Sequence, residues 1–439
     1  MKKRPSLLLI NPWAYDFAVH DLYSKPYGLL SLAANLRKAG FSLSFLDCMD
    51  RQDPYFRKNR LVNEKRYGTG KIFHEVIEKP EILKDIPRYY KRYGLPYSEV
   101  RKRLEELSRS PVRAVLVSSM MTYWYPGVFD MIKLVREYFR DTPVILGGLY
   151  VNLLPDHAGK YSGADHVLTG SHIPHLIREI SVLLGHTPGG QDSTFEEEPA
   201  FDLYDQLTYL AVMLTRGCPF HCSYCASGLL HKGFSVKDIG RVRETALYYM
   251  NEFRVSDIAF YDDALLFRFR SVLKKFLEPW KGRDINFHTP NGLHLCMIDR
   301  EKAEYLYQYN FKTLRLSLET SDRTRQKETG SKVSNRDFVR AVGHLRKAGF
   351  QAKDLDVYIL AGFPDQTVEE VKKSMDFVKE NGATPRLVEY SLIPGTADYR
   401  RYFKDMFIDP LLHNNSIFCQ KYGHFSYENL TELREYART

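Results

Sequence analysis

The chain has 439 residues, enough for two or three domains, and its 44% hydrophobic and 27% charged residues are ordinary for a globular protein. It has no apolar run long enough to span a bilayer and no recognisable signal peptide, so we expect a cytoplasmic protein without membrane insertion. In that reducing compartment, six cysteines predict metal binding or catalysis and exclude a disulfide framework.

The first 184 residues alternate between strand and helix patterns. Amphipathic helices are predicted near Tyr27, Pro126 and Ile173. The apolar strand segments are Leu7–Asn11, Ser42–Asp47, Arg113–Ser119, Pro143–Gly148 and Asp165–Gly170. This order predicts a Rossmann-like, doubly wound parallel sheet over residues 1–184, with ligands at the carboxyl ends of its strands. Because no GxGxxG follows the first strand, an ordinary dinucleotide site is not expected.

The net charge of +9 is concentrated in an insertion at residues 51–110, which holds 16 Lys and Arg against 9 Asp and Glu. We expect this insertion to be helical. Its charge could attract an anionic partner or could simply belong to a solvated helical surface.

Residues 185–204 are rich in Gly, Pro and acidic residues and are predicted to form a linker. Six strand-then-helix units follow and predict a partial (β/α)6 barrel over residues 205–395, with a small C-terminal extension at 396–439. The predicted strands are near residues 210–215, 257–261, 284–288, 313–318, 354–359 and 386–391.

Polar and glycine-rich segments follow these strands, where barrel enzymes place their chemistry. They are "YDD" (261–263), "HTPNG" (288–292), "LET" (318–320), "AGFPDQT" (361–367) and "IPGT" (393–396). The first predicted strand is followed by "TRGCPFHCSYCAS" (215–227), which carries half of the cysteines of the chain.

Cys218, Cys222 and Cys225 have the spacing CxxxCxxC, and thiolates bind zinc and iron–sulfur clusters. A structural zinc site needs a fourth ligand, which His221 or His231 could supply. Alternatively, three thiolates on a four-iron cluster leave one iron open to a substrate or cofactor. Tyr224 is expected to pack against such a cluster.

The segment "CPFHCSYC" resembles the signature of the radical S-adenosylmethionine (SAM) enzymes, and the resemblance covers about residues 205–395. It implies a [4Fe–4S] cluster on the three cysteines whose open iron binds SAM. Reductive cleavage of SAM then gives a 5′-deoxyadenosyl radical, and the electron comes from an external donor such as flavodoxin or ferredoxin. The residues that resemble SAM-binding positions are Asp262, Asp263, Arg315, Ser317 and Glu319. Ordinary structural roles, as a helix cap or an ion pair, are the alternative for these carboxylates.

A doubly wound sheet ahead of such a barrel resembles the cobalamin-binding subgroup of that family. This implies cobalamin-dependent methylation of an unactivated carbon or a phosphorus in a small molecule or peptide. The motif DxHxxG is absent, which argues against a histidine on the cobalt, and "GSHIP" (170–174) replaces the usual last turn. The candidate cobalamin contacts are Trp13, Tyr15, Ser118, Ser119, Thr122, Tyr123, Trp124, Gly147, Gly148 and Gly170.

Three other functions are alternatives to this one. A radical SAM enzyme without cobalamin would perform a rearrangement, cyclisation or hydrogen abstraction, with the first sheet as a relic. A tRNA methylthiotransferase would carry three cysteines in its first half, where this chain has Cys48 alone, so nucleic acid is not an expected substrate. A non-enzymatic metal-holding protein would not need carboxylates at the barrel mouth.

Overall fold

The computed structural model describes residues 4–187, 197–404 and 406–438. The chain divides into two compact units, Met1–Thr208 and Tyr209–Thr439. Within the described ranges, every helix is too short or too polar to cross a bilayer.

The first unit is built on a five-stranded, fully parallel sheet. Its strands are β1 (Ser6–Asn11), β2 (Ser42–Asp47), β3 (Ala114–Val117), β4 (Val144–Leu146) and β5 (His166–Val167). Their order is β5-β4-β3-β1-β2, so the chain moves outward from β1 in both directions, which confirms the doubly wound sheet.

The helices of this unit start where the sequence offers proline or an amphipathic run. They are α1 (Tyr27–Lys38), α2 (Pro54–Lys58), α3 (Tyr97–Ser108), α4 (Tyr125–Tyr138), α5 (Leu149–Leu153), α6 (Pro155–Tyr161) and α7 (Ile173–Leu183). Helices α1 and α7 cover one face of the sheet, where Leu7, Leu9, Leu36 and Ile177 are buried together.

The basic insertion is only partly helical. Between α2 and α3 the chain forms short antiparallel strands, because repeated glycine and proline interrupt a helix there. These strands and their partners are Ala14–Asp16, His74–Val76, Lys91–Tyr93, His20–Asp21, Asn63–Glu64 and Gly70–Lys71.

Part of the positive charge of the insertion is neutralised within the unit. Arg51 pairs with Asp21 at 2.9 Å, and both side chains are buried. Arg103 pairs with Asp53 through two nitrogens, at 2.6 and 2.7 Å.

The predicted linker lies partly outside the described residues, at 188–196. Its C-terminal part, residues 197–204, belongs to the first unit. Phe201 and Tyr204 are buried there, and the Tyr204 hydroxyl donates to Asp47 at 2.6 Å.

The second unit contains a six-stranded parallel sheet in sequential order. Its strands are β6 (Leu210–Val212), β7 (Asp257–Phe260), β8 (Asn286–Leu293), β9 (Phe311–Glu319), β10 (Leu355–Ala361) and β11 (Thr384–Glu389). Phe260, Phe287 and Phe311 stack at its centre, with ring centroids 5.4 to 5.9 Å apart. The order and direction of the strands confirm the partial barrel.

Helices alternate with these strands and continue into the C-terminal extension. They are α8 (Ser227–Leu230), α9 (Ile239–Phe253), α10 (Lys275–Leu277), α11 (Arg300–Gln308), α12 (Arg323–Glu328), α13 (Asn335–Ala348), α14 (Val368–Glu380), α15 (Ala397–Phe403), α16 (Asn415–Lys421) and α17 (Tyr427–Tyr436). Helix α17 is tied to α14 by an ion pair of 2.6 Å between Lys372 and Glu432.

Helix α16 packs against the loop that follows β10. The sulfur of Cys419 lies 3.3 Å from the carbonyl oxygen of Ala361. A Cβ atom at Gly362, where φ is +102°, would lie only 2.1 Å from the same sulfur, so this close approach requires glycine.

Candidate functional site

The three cysteines lie on one loop that follows β6. The loop starts and ends in a short antiparallel pair, Thr215–Arg216 with Ser235–Val236. Gly217 begins the turn with φ of +78°, and a Cβ atom there would meet the carbonyl oxygen of Gly233 at 2.2 Å. Only glycine fits this position, so the sequence dictates a tight turn immediately before Cys218.

The thiols of the loop are close enough to interact electrostatically. Burial raises the pKa of Cys218 to about 11, and the neighbouring thiols add to the effect. Burial also raises the pKa of Cys222 and of Cys225. Because a metal is bound by the thiolate, binding at this loop must displace these protons.

The structure does not bring the side chains of this loop together at one point. In the described part of the chain, no three His, Cys, Asp or Glu side chains are close enough together to hold one metal ion. A structural zinc site would need four such ligands, whereas a four-iron cluster binds each thiolate through a different iron.

The two neighbouring aspartates at the end of β7 have different environments. Both carboxylate oxygens of Asp262 accept hydrogen bonds from Leu214 and Thr215, which precede the cysteines. The N–H of Thr215 donates at 2.7 Å and its hydroxyl at 2.6 Å. Asp263 accepts a hydrogen bond from the Ser227 hydroxyl at 2.6 Å. Asp262 thus anchors the strand before the cysteine loop, while Asp263 keeps capacity for a second donor.

Burial raises the pKa of Asp262 to about 6, although the hydrogen bonds that it accepts oppose this. At neutral pH the carboxylate is still ionised, in the form that can accept all of these bonds.

Glu319 ends β9 in a left-handed conformation, with φ of +65°. Its carboxylate pairs with Lys332 at 2.7 Å, and both side chains are nearly buried. Burial works to lower the pKa of Lys332, but Glu319 and Cys222 outweigh it, so that this pKa is raised. The ammonium also lies 5.7 Å from the ring centroid of Tyr224. A cation is therefore held beside the cysteine loop.

Tyr224 is half-buried between this pair and a second aromatic ring. Its ring meets Phe363, from the loop after β10, edge-on at 6.3 Å. Burial raises the pKa of its hydroxyl, which also bonds to Cys222. These contacts support the prediction that Tyr224 packs beside a cluster.

Arg315 and Ser317 lie on β9, which ends beside the cysteine loop. The guanidinium of Arg315 is paired with Asp356, which also binds Arg386 at 2.6 Å. Ser317 is buried beneath Gly292, where a Cβ atom would approach the serine oxygen to 2.4 Å. Arg315 is committed to an ion pair and Ser317 is buried, so their predicted role toward SAM stays a proposal.

Two residues near the cysteines were not found from the sequence, His294 and Lys332. His294 stacks on Phe220 with ring centroids 4.7 Å apart, and its Nε2 lies 3.8 Å from the sulfur of Cys218. Burial lowers the pKa of His294 to about 3, and Lys332 contributes to this shift. The available signal was the "HTPNG" segment, which ends two residues before this histidine.

In the first unit, the two aromatic residues that follow β1 are committed to internal contacts. Trp13 is buried, donates to the Leu95 carbonyl at 2.6 Å and stacks on Tyr97 at 5.5 Å. Tyr15 is buried and donates to Asp130 at 2.7 Å. Neither side chain offers an open surface to a ligand in this unit.

Several side chains of the loop after β3 are also hydrogen bonded or buried within the first unit. Trp124 donates to Asp16 at 2.7 Å. The Ser119 hydroxyl donates to the Gly147 carbonyl at 2.7 Å, and Thr122 is buried. Ser118 and Tyr123 are half-buried, and burial raises the pKa of Tyr123.

The three glycines at the ends of β4 and β5 differ in the space around them. Gly148 has φ of +102°, and a Cβ atom there would meet the Ser119 carbonyl oxygen at 2.2 Å. At Gly170 there is no atom within 4 Å of that position, and at Gly147 the nearest is 3.7 Å away. Gly148 is therefore needed by the fold itself, whereas the space beside Gly147 and Gly170 is open.

Comparison with known proteins identifies the second unit. The model of the radical SAM superfamily matches residues 212–378. An uncharacterized methyltransferase of Pyrococcus horikoshii is 26% identical over 386 residues, which cover 77% of this chain and 80% of that protein.

Two solved structures resemble most of the chain in fold. TsrM from Kitasatospora setae, a radical SAM methyltransferase solved with tryptophan and a SAM analog, has a TM-score of 0.66 at 14% identity. It covers 91% of this chain and 76% of its own. The cobalamin-dependent radical enzyme OxsB, solved with aqua-cobalamin and SAM, has a TM-score of 0.60 at 12% identity. It covers 96% of this chain and 57% of its own.

The matched residues contain the cysteine loop and the carboxyl ends of β6 to β10, and a radical SAM domain implies a [4Fe–4S] cluster and SAM. Residues 212–378 therefore form a radical SAM domain.

Proposed function

We propose that the protein is a cobalamin-dependent radical SAM methyltransferase that acts on an unactivated carbon or phosphorus of a small molecule or peptide. The observation that carries this proposal is the pairing of a doubly wound sheet with a cysteine-bearing radical SAM barrel, as in TsrM and OxsB. The distant relative named as a methyltransferase supports the same reaction class.

In this proposal Cys218, Cys222 and Cys225 hold the cluster, and Tyr224 shields one side of it. Lys332 places a positive charge beside the thiolates, which offsets part of the negative charge of the ligand set. The bound cluster, SAM and cobalamin together supply reductive bond cleavage and methyl transfer.

Asp263 and Glu319 are the carboxylates that we assign to SAM, since each has one oxygen beyond its observed bond. Ser317 completes this group on β9. Asp262 and Arg315 then act by fixing the strands from which the binding groups project.

Cobalamin would lie against Ser118, Gly147 and Gly170 of the first unit, where the two glycines leave room for a ligand. Tyr123 lies on the same loop as Ser118. These residues would supply no histidine to the cobalt, in agreement with the missing DxHxxG.

One observation favours a cobalamin-free radical SAM enzyme instead. Trp13, Tyr15 and Trp124, which were expected to contact cobalamin, are all bound to partners within their own unit. In that case the first sheet is a relic, and the radical drives a rearrangement, cyclisation or hydrogen abstraction.

The deciding experiment is to reconstitute the protein anaerobically with iron, sulfide and hydroxocobalamin, desalt it, and quantify iron and cobalt per chain. The matched control changes Cys218, Cys222 and Cys225 to Ala. We expect about four irons and one cobalt in the wild type, and loss of the iron alone in the triple variant.

S-adenosylhomocysteine formed alongside 5′-deoxyadenosine would then report methyl transfer. Iron without cobalt would replace the proposal by the cobalamin-free reaction. One zinc without iron would refute both.

A further inference from the structure

The segment "TPNGLH" (289–294) ends β8 and continues to a histidine beside the cysteine loop. The parallel pairing of β8 with β9 shifts register between Phe287 and His288, and again between Thr289 and Leu293. Within the shift, Gly292 has φ of +83° and packs against Ser317. The irregularity redirects the chain so that His294 meets a loop far away in sequence.

The path of this segment is fixed on both sides. Asn291 donates to the carbonyl oxygen of Tyr261 at 2.8 Å, and Tyr358 donates to that of Pro290 at 2.9 Å. After the histidine, Leu295 is fully buried and the N–H of Met297 bonds back to the His294 carbonyl at 3.0 Å. His294 therefore has little freedom to leave its position.

The imidazole makes two contacts with the cysteine loop. Its ring lies nearly parallel to that of Phe220, at an angle of 16° and a centroid distance of 4.7 Å. Its Nε2 is 3.8 Å from the sulfur of Cys218, within the longer range of hydrogen bonds to sulfur. The stack holds the ring so that this nitrogen faces the sulfur.

We propose that His294 donates its Nε2–H to the sulfur of Cys218 and thereby raises the reduction potential of the cluster. The inference rests on the proposed function, because it requires Cys218 to be a cluster ligand. A metal-bound thiolate has no proton, so the nitrogen facing it must carry one if the two are hydrogen bonded. Hydrogen bonds to the sulfurs of a cluster favour its more negative, reduced form.

His294 is thus a positioning residue that acts through Cys218, and it favours acceptance of the electron needed to cleave SAM. The same contacts would also serve a purely structural role, in which the ring only supports Phe220. Substitutions at His294 can keep the shape of the ring without its N–H donor, or keep a donor without the ring, and so distinguish the two roles.

The test compares the wild type with His294→Phe, which keeps a ring on Phe220, and His294→Gln, which keeps an N–H donor. His221→Gln is the matched control, since His221 lies in the same loop with an exposed side chain. Each protein is reconstituted anaerobically, its iron is counted, and its cluster is titrated by electron paramagnetic resonance at set potentials.

In His294→Phe, we expect the equilibrium between the two redox forms to shift about tenfold toward the oxidised cluster. For one electron this is a decrease of about 59 mV. His294→Gln should recover most of that difference, and His221→Gln should match the wild type. An unchanged potential in a fully loaded His294→Phe protein would overturn the inference, as would an equal shift in the Phe and Gln variants.

A second measurement needs no variant. In wild-type protein grown with 15N-labelled histidine, pulsed resonance on the reduced cluster should show one weakly coupled histidine nitrogen. Absence of that coupling in a protein with four irons would also overturn the inference. Failure of the wild type to bind iron would instead refute the proposed function.

Discussion

The buried carboxylate of Asp262 connects the fold to pH. Its folded pKa of about 6 exceeds the ordinary value of 3.8, because burial disfavours the charged form. Between these two values the folded state binds more protons than the unfolded state, so the free energy of unfolding falls as pH rises.

As pH rises from 4 to 6, we therefore expect ionisation of Asp262 to lower the free energy of unfolding by up to about 3 kcal/mol. The difference in free energy of unfolding between the wild type and Asp262→Asn should change by this amount across the window, in metal-free protein. Chemical denaturation at several pH values measures it. Thr215→Val removes a hydrogen bond that lowers this pKa, so it should extend the window upward. A difference independent of pH would contradict the assignment.

The ion pair between Lys332 and Glu319 should contribute measurably to the free energy of unfolding. Because both side chains are nearly buried, removing one partner leaves an uncompensated charge. Lys332→Met should cost about 3 kcal/mol of unfolding free energy, and the double variant with Glu319→Gln should cost less than the two single changes together.

The exposed pair Arg300 and Glu304, at 2.7 Å on one face of α11, is the control for this double-mutant cycle. Its coupling energy should not exceed about 0.5 kcal/mol. Equal coupling in the two pairs would show that burial of the Lys332 pair contributes nothing.

At the scale of elements, the irregular end of β8 depends on one glycine. Gly292 has a positive φ, and a Cβ atom there would lie 2.4 Å from the Ser317 oxygen. Gly292→Ala should therefore lower the free energy of unfolding by about 1–3 kcal/mol. Gly343 lies inside α13, with no atom within 4 Å of the corresponding position. Gly343→Ala should raise stability by about 0.5–1 kcal/mol. Opposite signs in thermal denaturation would support this account, and a neutral Gly292→Ala would contradict it.

The elements were the part of the molecule most readily predicted from sequence. Runs such as Leu7 to Ile10 are continuously apolar because parallel strands are buried on both faces, so the period and length of each run identify it. The three cysteines were equally visible, since their spacing is local.

Contacts across the site were not predictable in the same way. His294 reaches Cys218 across 76 residues of sequence, through a register shift that no local pattern signals. The role of Asp262 could not be predicted from the sequence either. A carboxylate at a strand end has the same sequence pattern whether it binds a ligand or accepts hydrogen bonds from a neighbouring strand.

At the scale of the whole molecule, the net charge of +9 bears on electron delivery. An acidic donor such as flavodoxin should be attracted electrostatically, and salt should screen that attraction over about 10 Å at 0.1 M. We expect the rate of cluster reduction by reduced flavodoxin to fall steeply as salt increases. Photoreduced deazariboflavin, which is uncharged, is the control and should show little dependence on salt. Equal salt dependence of the two reductants would exclude steering by charge.

The contact between helix α16 and the loop after β10 also bears on the synthesis of the protein. Cys419 is 58 residues beyond Ala361, whose carbonyl it contacts. At a translation rate of about 5–20 residues per second, the ribosome needs roughly 3 to 12 seconds to add that stretch. During this interval the loop at Gly362 lacks its contact with α16. A chaperone that binds this enzyme during translation would meet the loop in that state.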